Sequence, residues 1–191
     1  MMDYTATVQM LNNHEDHYLG MHKFKEDVLR YTEIIQATKP EFIIETGSDT
    51  GDSALWFSQF APVVSVDIGH EFSHTEGKIT WIAGDSTSSS VFSQVKKMAQ
   101  GKRVLVSLDS DHSYAHVAAE MVLYSTLVKS GDYMVVEDGI IKQWWGIPGP
   151  LEAITEFLQD NPQWSLDTQI DDRYPIGTSP GGWLKKKGAK K

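Results

Sequence analysis

The chain has 191 residues, of which 40% are hydrophobic and 23% are charged, and its formal net charge is −9. This length suits one α/β domain with one large core, and the composition excludes a largely disordered chain. The acidic balance excludes a broadly basic surface for nucleic acid. Because the chain has no cysteine, it has neither disulfides nor thiolate zinc sites, and we expect a cytoplasmic protein.

We predict that residues 1–191 form a single domain with a short N-terminal segment, 1–20, and a basic tail, 185–191. The N-terminal segment has no apolar run of signal-peptide length. No stretch of the sequence is long and apolar enough to cross a bilayer, so we expect no membrane partner. The lysine-rich tail is interpreted as a solvated terminus.

Helices and strands alternate along most of the chain. Apolar residues at helical spacing predict a first helix over 24–37. Strands are then predicted at 41–47, 62–69, 79–86, 102–111 and 132–139, and helices at 52–60, 90–101, 116–131 and 149–162. This order predicts an α/β fold with a doubly wound, mostly parallel sheet. Residues 163–170 and 181–187 are predicted to pair as antiparallel strands with no helix between them.

The ends of the first three strands carry residues that suit a nucleoside. In "IIETGSDTGDS", Gly47 and Gly51 flank a tight turn where backbone N–H groups can approach a ligand. Asp67 ends the second strand, about twenty residues further on, where an acid can bind ribose hydroxyls. The third strand ends in "AGDS", which places Asp85 and Ser86 near an adenine edge. Each feature alone also suits a turn or a helix cap, but the ordered series indicates a nucleoside-shaped ligand.

The fourth and fifth strands end in acids, in "VLVSLDSDHSYAHV" and "YMVVEDG". Neighbouring parallel strands lie about 5 Å apart, so Asp109, Glu137 and Asp138 can converge on one cation. Carboxylate ligands favour magnesium, calcium or manganese over zinc or copper. Asp111 is expected to cap the following helix instead.

His112 lies three residues after Asp109, close enough to face the same substrate oxygen. Its ordinary pKa suits proton abstraction near neutral pH. A loop histidine that only donates to a backbone carbonyl is the simpler alternative. A third possibility is a three-ligand site for iron or zinc, made of Asp109, His112 and His116, but this set leaves Glu137 and Asp138 unexplained.

At these residues the sequence resembles the cephalosporin hydroxylase family, a branch of the S-adenosylmethionine-dependent methyltransferases that includes sugar O-methyltransferases. The resemblance rests on "KPEFIIETGSDTGDSALWFS", "VVSVDI", "GDS", "VLVSLDSDHSYAHVAAEMVLYSTLVKSGDYMVVEDG", "GPLEAITEFL" and "SPGGWLKK". These pieces extend from about residue 20 almost to the end of the chain. They imply a seven-stranded, Rossmann-like methyltransferase sheet with an antiparallel last strand.

The resemblance also implies roles for individual residues. The methionine part of the cofactor would lie near Glu45, Gly47 and Ser53. Asp67 would bind the ribose, and Asp85 and Ser86 would lie near the adenine. The magnesium ligands would be Asp109, Glu137 and Asp138. In the similar catechol-type O-methyltransferases, a lysine follows the first metal acid by three residues, and here that residue is His112.

We therefore expect methyl transfer from S-adenosylmethionine to a hydroxyl of a small molecule or sugar, with Asp109 and His112 as catalytic residues and Mg²⁺ or another hard divalent cation. Trp144 and Trp145 follow the acid pair and can stack on an acceptor or pack in a homo-oligomer. Two alternatives are a nicotinamide-dependent oxidoreductase, which the missing GxGxxG disfavours, and a non-catalytic nucleoside-binding or oligomerising protein.

Overall fold

A computed structural model of the protein describes residues 21–69 and 78–188. The strands are β1 Phe42–Thr46, β2 Val63–Asp67, β3 Ile79–Ala83, β4 Val104–Leu108, β5 Tyr133–Val136, β6 Trp164–Leu166 and β7 Trp183–Lys186. The helices are α1 Lys25–Thr38, α2 Asp52–Phe57, α3 Ser89–Ala99, α4 Tyr114–Tyr124, α5 Ile141–Trp145, α6 Pro150–Asp160 and α7 Thr168–Asp171. The predicted segment 1–20 and tail residues 189–191 lie outside the described residues, and β7 includes the first two tail residues.

The seven strands form one sheet in the order β3-β2-β1-β4-β5-β7-β6. Strands β1 to β5 are parallel, and β7 runs antiparallel to both of its neighbours, β5 and β6. The predicted doubly wound, mostly parallel sheet with an antiparallel last strand is therefore confirmed. The strand order reverses between β1 and β4, and ligands bind beside such a switch point, outside the carboxyl ends of the strands.

Both faces of the sheet are buried, which explains why its central strands read as continuous apolar runs. In β1, Ile44 packs into the core beneath α3, α4 and α6, whereas Ile43 packs into the core beneath α1 and α2. Strand β4 repeats this alternation with Val106 and Leu105. Side chains of successive strand residues point to opposite faces, so helices on both sides fix the register of every central strand.

Three predicted features of the secondary structure were wrong. The helix predicted over 116–131 runs instead from Tyr114 to Tyr124. A one-turn helix, α7, lies between β6 and β7, where no helix was expected, because the Asp167 side chain accepts the N–H of Gln169 and caps it. Helix α5 was also not predicted, because its five residues are too few to show helical periodicity.

Arg30 of α1 attaches this helix to the segment that precedes β7. Its side chain is 4% exposed, and its Nη1 donates to Asp27 Oδ1 over 3.0 Å. The remaining donors of the guanidinium bind main-chain carbonyl groups, those of Ile170, Asp171, Tyr174 and Ile176. A planar, five-donor guanidinium suits this arrangement, which an ammonium group does not reproduce.

We expect Arg30→Met to lower the free energy of unfolding by about 3–5 kcal/mol, because it leaves the Asp27 carboxylate buried without its cation. Urea denaturation measures the change. Arg173→Met is the matched control, since Arg173 forms an exposed ion pair with Glu33, and it should cost about 1 kcal/mol or less. Equal losses in the two variants would contradict this role for Arg30.

Candidate active site

A cleft of about 860 Å³ opens beyond the carboxyl ends of the central strands. This volume is in the range of small-molecule sites. Most of the site residues predicted from the sequence line it, namely Gly47, Ser53, Asp67, Asp85, Ser86, Asp109, His112 and Asp138. Two predicted residues, Glu45 and Glu137, are buried outside the lining. One cleft thus joins the predicted nucleoside and metal regions.

The turn after β1 packs directly against the end of β4. Gly47 has φ 80°, and a Cβ atom there would lie 1.9 Å from the main-chain oxygen of Asp109. Only glycine fits this conformation and this close approach. The Asp67 carboxylate accepts the N–H groups of Ser48 and Asp49 over 2.7 and 3.2 Å, which holds the turn against the end of β2.

Glu45 lies in β1, behind the turn, and is fully buried. Its Oε2 accepts a hydrogen bond from Ser65 Oγ over 2.6 Å, whereas Oε1 has no hydrogen-bond partner among the residues that the structure describes. Burial raises the pKa of Glu45, and the charge of Lys23 opposes this shift. A buried carboxylate oxygen without a partner suits a cationic group such as the ammonium of a methionine moiety.

The loop after β3 presents two different side chains. Asp85 is exposed, and its Oδ1 accepts hydrogen bonds from both the N–H and the hydroxyl of Thr87, which lower the pKa of Asp85. Ser86 is buried, and its Oγ donates to Glu120 Oε1 over 2.5 Å. The same Oγ lies 3.0 Å from His116 Nε2.

Glu120 was not predicted as part of the site, although it is fully buried beside the cleft. It also accepts a hydrogen bond from Ser110 Oγ over 2.8 Å. A hydrogen bond with Glu120 raises the pKa of His116, which lies four residues earlier on α4. The i, i+4 spacing of these two residues was the available sequence signal. His116 therefore contacts Ser86 and Glu120, which does not favour the alternative metal set with Asp109 and His112.

Asp109, His112 and Asp138 form the candidate metal group. Each offers one ligand atom, and in the described part of the chain these three atoms lie within 4.8 Å of one another. His112 Nε2 is 3.2 Å from Asp138 Oδ2. Asp138 has φ 55°, a strained value for a non-glycine residue, and such strain concentrates at functional sites. Burial and the adjacent Glu137 carboxylate raise the pKa of Asp138 to about 7.

Glu137, the third predicted metal ligand, is held from the side of α1. Its Oε1 accepts hydrogen bonds from Tyr31 over 2.7 Å, from Ser107 over 2.8 Å and from Lys23 over 2.6 Å. It does not join the group of three ligand atoms in the described chain. The structure therefore brings Asp109 and Asp138 together with His112, and it ties Glu137 to a cation of the protein itself.

Lys23 was missed by the sequence analysis. Its Nζ also lies 2.9 Å from Asp109 Oδ2. Burial alone lowers the pKa of Lys23, but the carboxylates of Asp109 and Glu137 raise it above its ordinary value. No local pattern indicates this role, because the two acids lie 86 and 114 residues further along the chain.

Solved structures share the fold of this chain. The structure titled cmcI-D160 Mg-SAM superposes with a TM-score of 0.69 at 18% identity, covering 88% of this chain and 74% of that chain. The MycE methyltransferase from the mycinamycin pathway, in complex with Mg, SAH and mycinamycin VI, gives 0.58 at 19% identity, covering 82% of this chain and 45% of that chain. The fold is thus that of a Rossmann-like methyltransferase.

Sequence relatives identify the family. The family model for rhamnosyl O-methyltransferase/CmcI matches residues 11–187. The rhamnosyl O-methyltransferase of Mycobacterium tuberculosis H37Rv is 30% identical over 188 residues, covering 87% of this chain and 76% of the relative. That of Mycobacterium leprae is 32% identical over 183 residues, covering 86% and 80%. The chain belongs to the rhamnosyl O-methyltransferase/CmcI family, which confirms the predicted resemblance and the predicted class, an S-adenosylmethionine-dependent O-methyltransferase.

We expect Gly47→Ala to destabilise the protein by about 3 kcal/mol or more, because the added Cβ overlaps main-chain atoms that cannot move aside. Gly131→Ala is the matched control. Gly131 has φ 89°, and a Cβ there would meet nothing within 4 Å. Gly131→Ala should lower the free energy of unfolding only by the cost of placing alanine in a left-handed backbone conformation, about 1–2 kcal/mol. Urea unfolding compares the two variants, and a smaller loss for Gly47→Ala would contradict the contact with β4.

Proposed function

We propose that this O-methyltransferase methylates a hydroxyl group of a sugar, with a rhamnosyl group as the first candidate acceptor. The observation that carries the proposal is the single cleft that joins the glycine turn after β1 to Asp109, His112 and Asp138. The names of the mycobacterial relatives support the sugar acceptor. A donor bound along the first three strand ends would place its methyl group next to a hydroxyl bound at the acids.

The donor would lie over the ends of β1, β2 and β3. Ser53, which lines the cleft, would face its methionine part, and Glu45, predicted for the same role, lies buried behind the turn. Gly47 lets the backbone approach the ligand closely. Asp67 would receive the ribose hydroxyls, and the adenine would lie at Asp85 and Ser86, where the loop after β3 meets the cleft.

A hard divalent cation fits the acids at the other end of the cleft. The oxygen ligands of Asp109 and Asp138 are those that magnesium prefers, and crowded, partly buried carboxylates favour a cation between them. We propose Asp109 and Asp138 as direct ligands. Glu137, the third ligand predicted from the sequence, lies beside them. When bound, magnesium would orient the acceptor oxygen and stabilise its negative charge.

His112 is the proposed proton acceptor. It lines the cleft, and its Nε2 faces Asp138, whose carboxylate stabilises an imidazolium. When bound, S-adenosylmethionine would supply the methyl group, whose carbon–sulfur bond breaks as its bond to the acceptor oxygen forms, and would leave as S-adenosylhomocysteine. The hydroxyl proton passes to His112. Because the sulfonium already activates the methyl group, the protein contributes mainly alignment and removal of this proton.

Self-association and a cytoplasmic location remain predictions from the sequence. Trp145 is 61% exposed, and Ile147, two residues later, is also exposed. This apolar surface suits either the sugar ring of an acceptor or a second subunit. In residues 21–69 and 78–188, no helix has the length and apolar character needed to span a membrane.

We expect Asp109→Asn to lower the affinity for Mg²⁺ by about a hundredfold while donor affinity changes by less than about threefold, since the substitution keeps the size of the side chain. Calorimetric titrations with Mg²⁺ and with S-adenosylmethionine measure both. Asp111→Asn is the matched control, because the Asp111 carboxylate caps the Ser113 N–H instead. Equal loss of magnesium affinity in the two variants would contradict the assignment of Asp109.

We expect His112→Ala to lower kcat for methyl transfer to a rhamnoside by about 10²–10⁴-fold, with donor and Mg²⁺ affinities unchanged. Added imidazole should restore part of the rate, because it replaces the missing proton acceptor. Radiolabelled methyl transfer measures the rate. His116→Ala is the comparison variant. If either histidine variant loses Mg²⁺ affinity, histidine is favoured as a metal ligand over a role as proton acceptor.

A further inference from the structure

The ammonium of Lys23 occupies the back of the acidic site. Its side chain is 2% exposed, and Nζ lies 2.6 Å from Glu137 Oε1 and 2.9 Å from Asp109 Oδ2. The two contacts are charge-assisted hydrogen bonds across strands β4 and β5. Lys23 does not line the cleft, whereas Asp109 does. Asp109 therefore contacts a buried cation of the protein with one oxygen and faces the cleft as well.

A buried ammonium needs a compensating interaction, because its removal from water costs several kcal/mol. Here the compensation is mutual. The two carboxylates also lose water on burial and repel each other, and one positive charge between them offsets both effects. Tyr31 and Ser107 complete the arrangement by donating to the same oxygen of Glu137. Lys23, Tyr31 and Ser107 thus help to hold these acids in position.

The residues next to Lys23 connect it to the wall of the cleft. Met21 and His22, which precede Lys23, line the cleft. His22 Nδ1 lies 2.7 Å from Asp49 Oδ2 in the turn after β1. An exposed contact of His22 therefore links the start of the described chain to the glycine turn, and the two ion pairs of Lys23 link it to the metal acids. Tyr31 on α1 adds a third link to Glu137.

We propose that Lys23 is a positioning residue that acts as the internal cation of the metal site. It keeps Asp109 and Glu137 assembled in the absence of metal, and its charge lowers the affinity of the site for Mg²⁺. The inference rests on the proposed function in one respect, because it takes these acids to be the magnesium site. Its test measures folding and metal binding, so it does not depend on methyl transfer.

The first test compares Lys23→Met with wild type by urea unfolding in EDTA and in Mg²⁺. In EDTA the variant should unfold at a clearly lower urea concentration, because the buried Glu137 and the partly buried Asp109 lose their shared cation. Magnesium should raise its midpoint much more than that of wild type, since the metal replaces the missing charge. Calorimetry should show Mg²⁺ binding tightened by about tenfold or more, the direction expected for removal of a nearby like charge.

Lys25→Met is the matched control, since it removes one lysine charge from the exposed start of α1. It should leave the midpoint in EDTA and the magnesium affinity close to those of wild type. An unchanged Mg²⁺ affinity in Lys23→Met, or the same change in Lys25→Met, would overturn the proposal.

A second variant covers the case in which Lys23→Met does not fold. Lys23→Met with Glu137→Gln removes the ammonium together with one of its carboxylates. This double variant should fold and be more stable in EDTA than the single variant. Failure of the double variant to fold, or additive losses from the two substitutions, would overturn the role of Lys23 as the shared cation. If Mg²⁺ replaces the missing charge of Lys23 as expected and no methyl transfer is found, only the proposed function fails.

Discussion

The crowding of carboxylates at the ends of β4 and β5 is the constraint on which the site depends. Parallel pairing aligns Leu108 with Val136, so the acids that follow these two residues emerge side by side. Burial then makes their mutual repulsion stronger than it would be in water. The surrounding residues respond to this repulsion. Lys23 donates to Asp109 and Glu137, Tyr31 and Ser107 donate to Glu137, and His112 lies against Asp138.

The same constraint explains the division of the acids between two sides. Glu137 is bound by donors from α1 and β4, inside the protein. Asp138, the next residue, points into the cleft from a left-handed backbone conformation. Consecutive strand residues face opposite ways, and the strained backbone at Asp138 interrupts the regular strand geometry at the point where a ligand is expected. The adjacent acids therefore have different surroundings.

Much of this arrangement could be predicted from the sequence because its signals are local. Apolar runs that end in glycine or an acid predicted the five parallel strands. Because ligands bind outside the carboxyl ends of such strands, Gly47, Asp67, Asp85 and Asp109 were predicted to lie at one edge of the sheet. Short elements such as α5 and α7 escaped prediction because they contain too few residues to show a period. Lys23 escaped because its role depends on contacts with acids that lie far along the chain, which no spacing records. For Glu120 the i, i+4 spacing from His116 was the available signal, but its contacts with Ser86 and Ser110 join a helix to two loops.

The contact between Gly47 and the Asp109 main chain has a consequence for protein engineering. Because the turn at Gly47 and the end of β4 at Asp109 touch through backbone atoms, substitutions that reshape one will displace the other. Directed evolution of acceptor preference should therefore leave these two strand ends unchanged. The segment from α5 to the start of α6 is the better region for a library, since its exposed side chains at positions 145 and 147 carry none of the contacts that fix the acids.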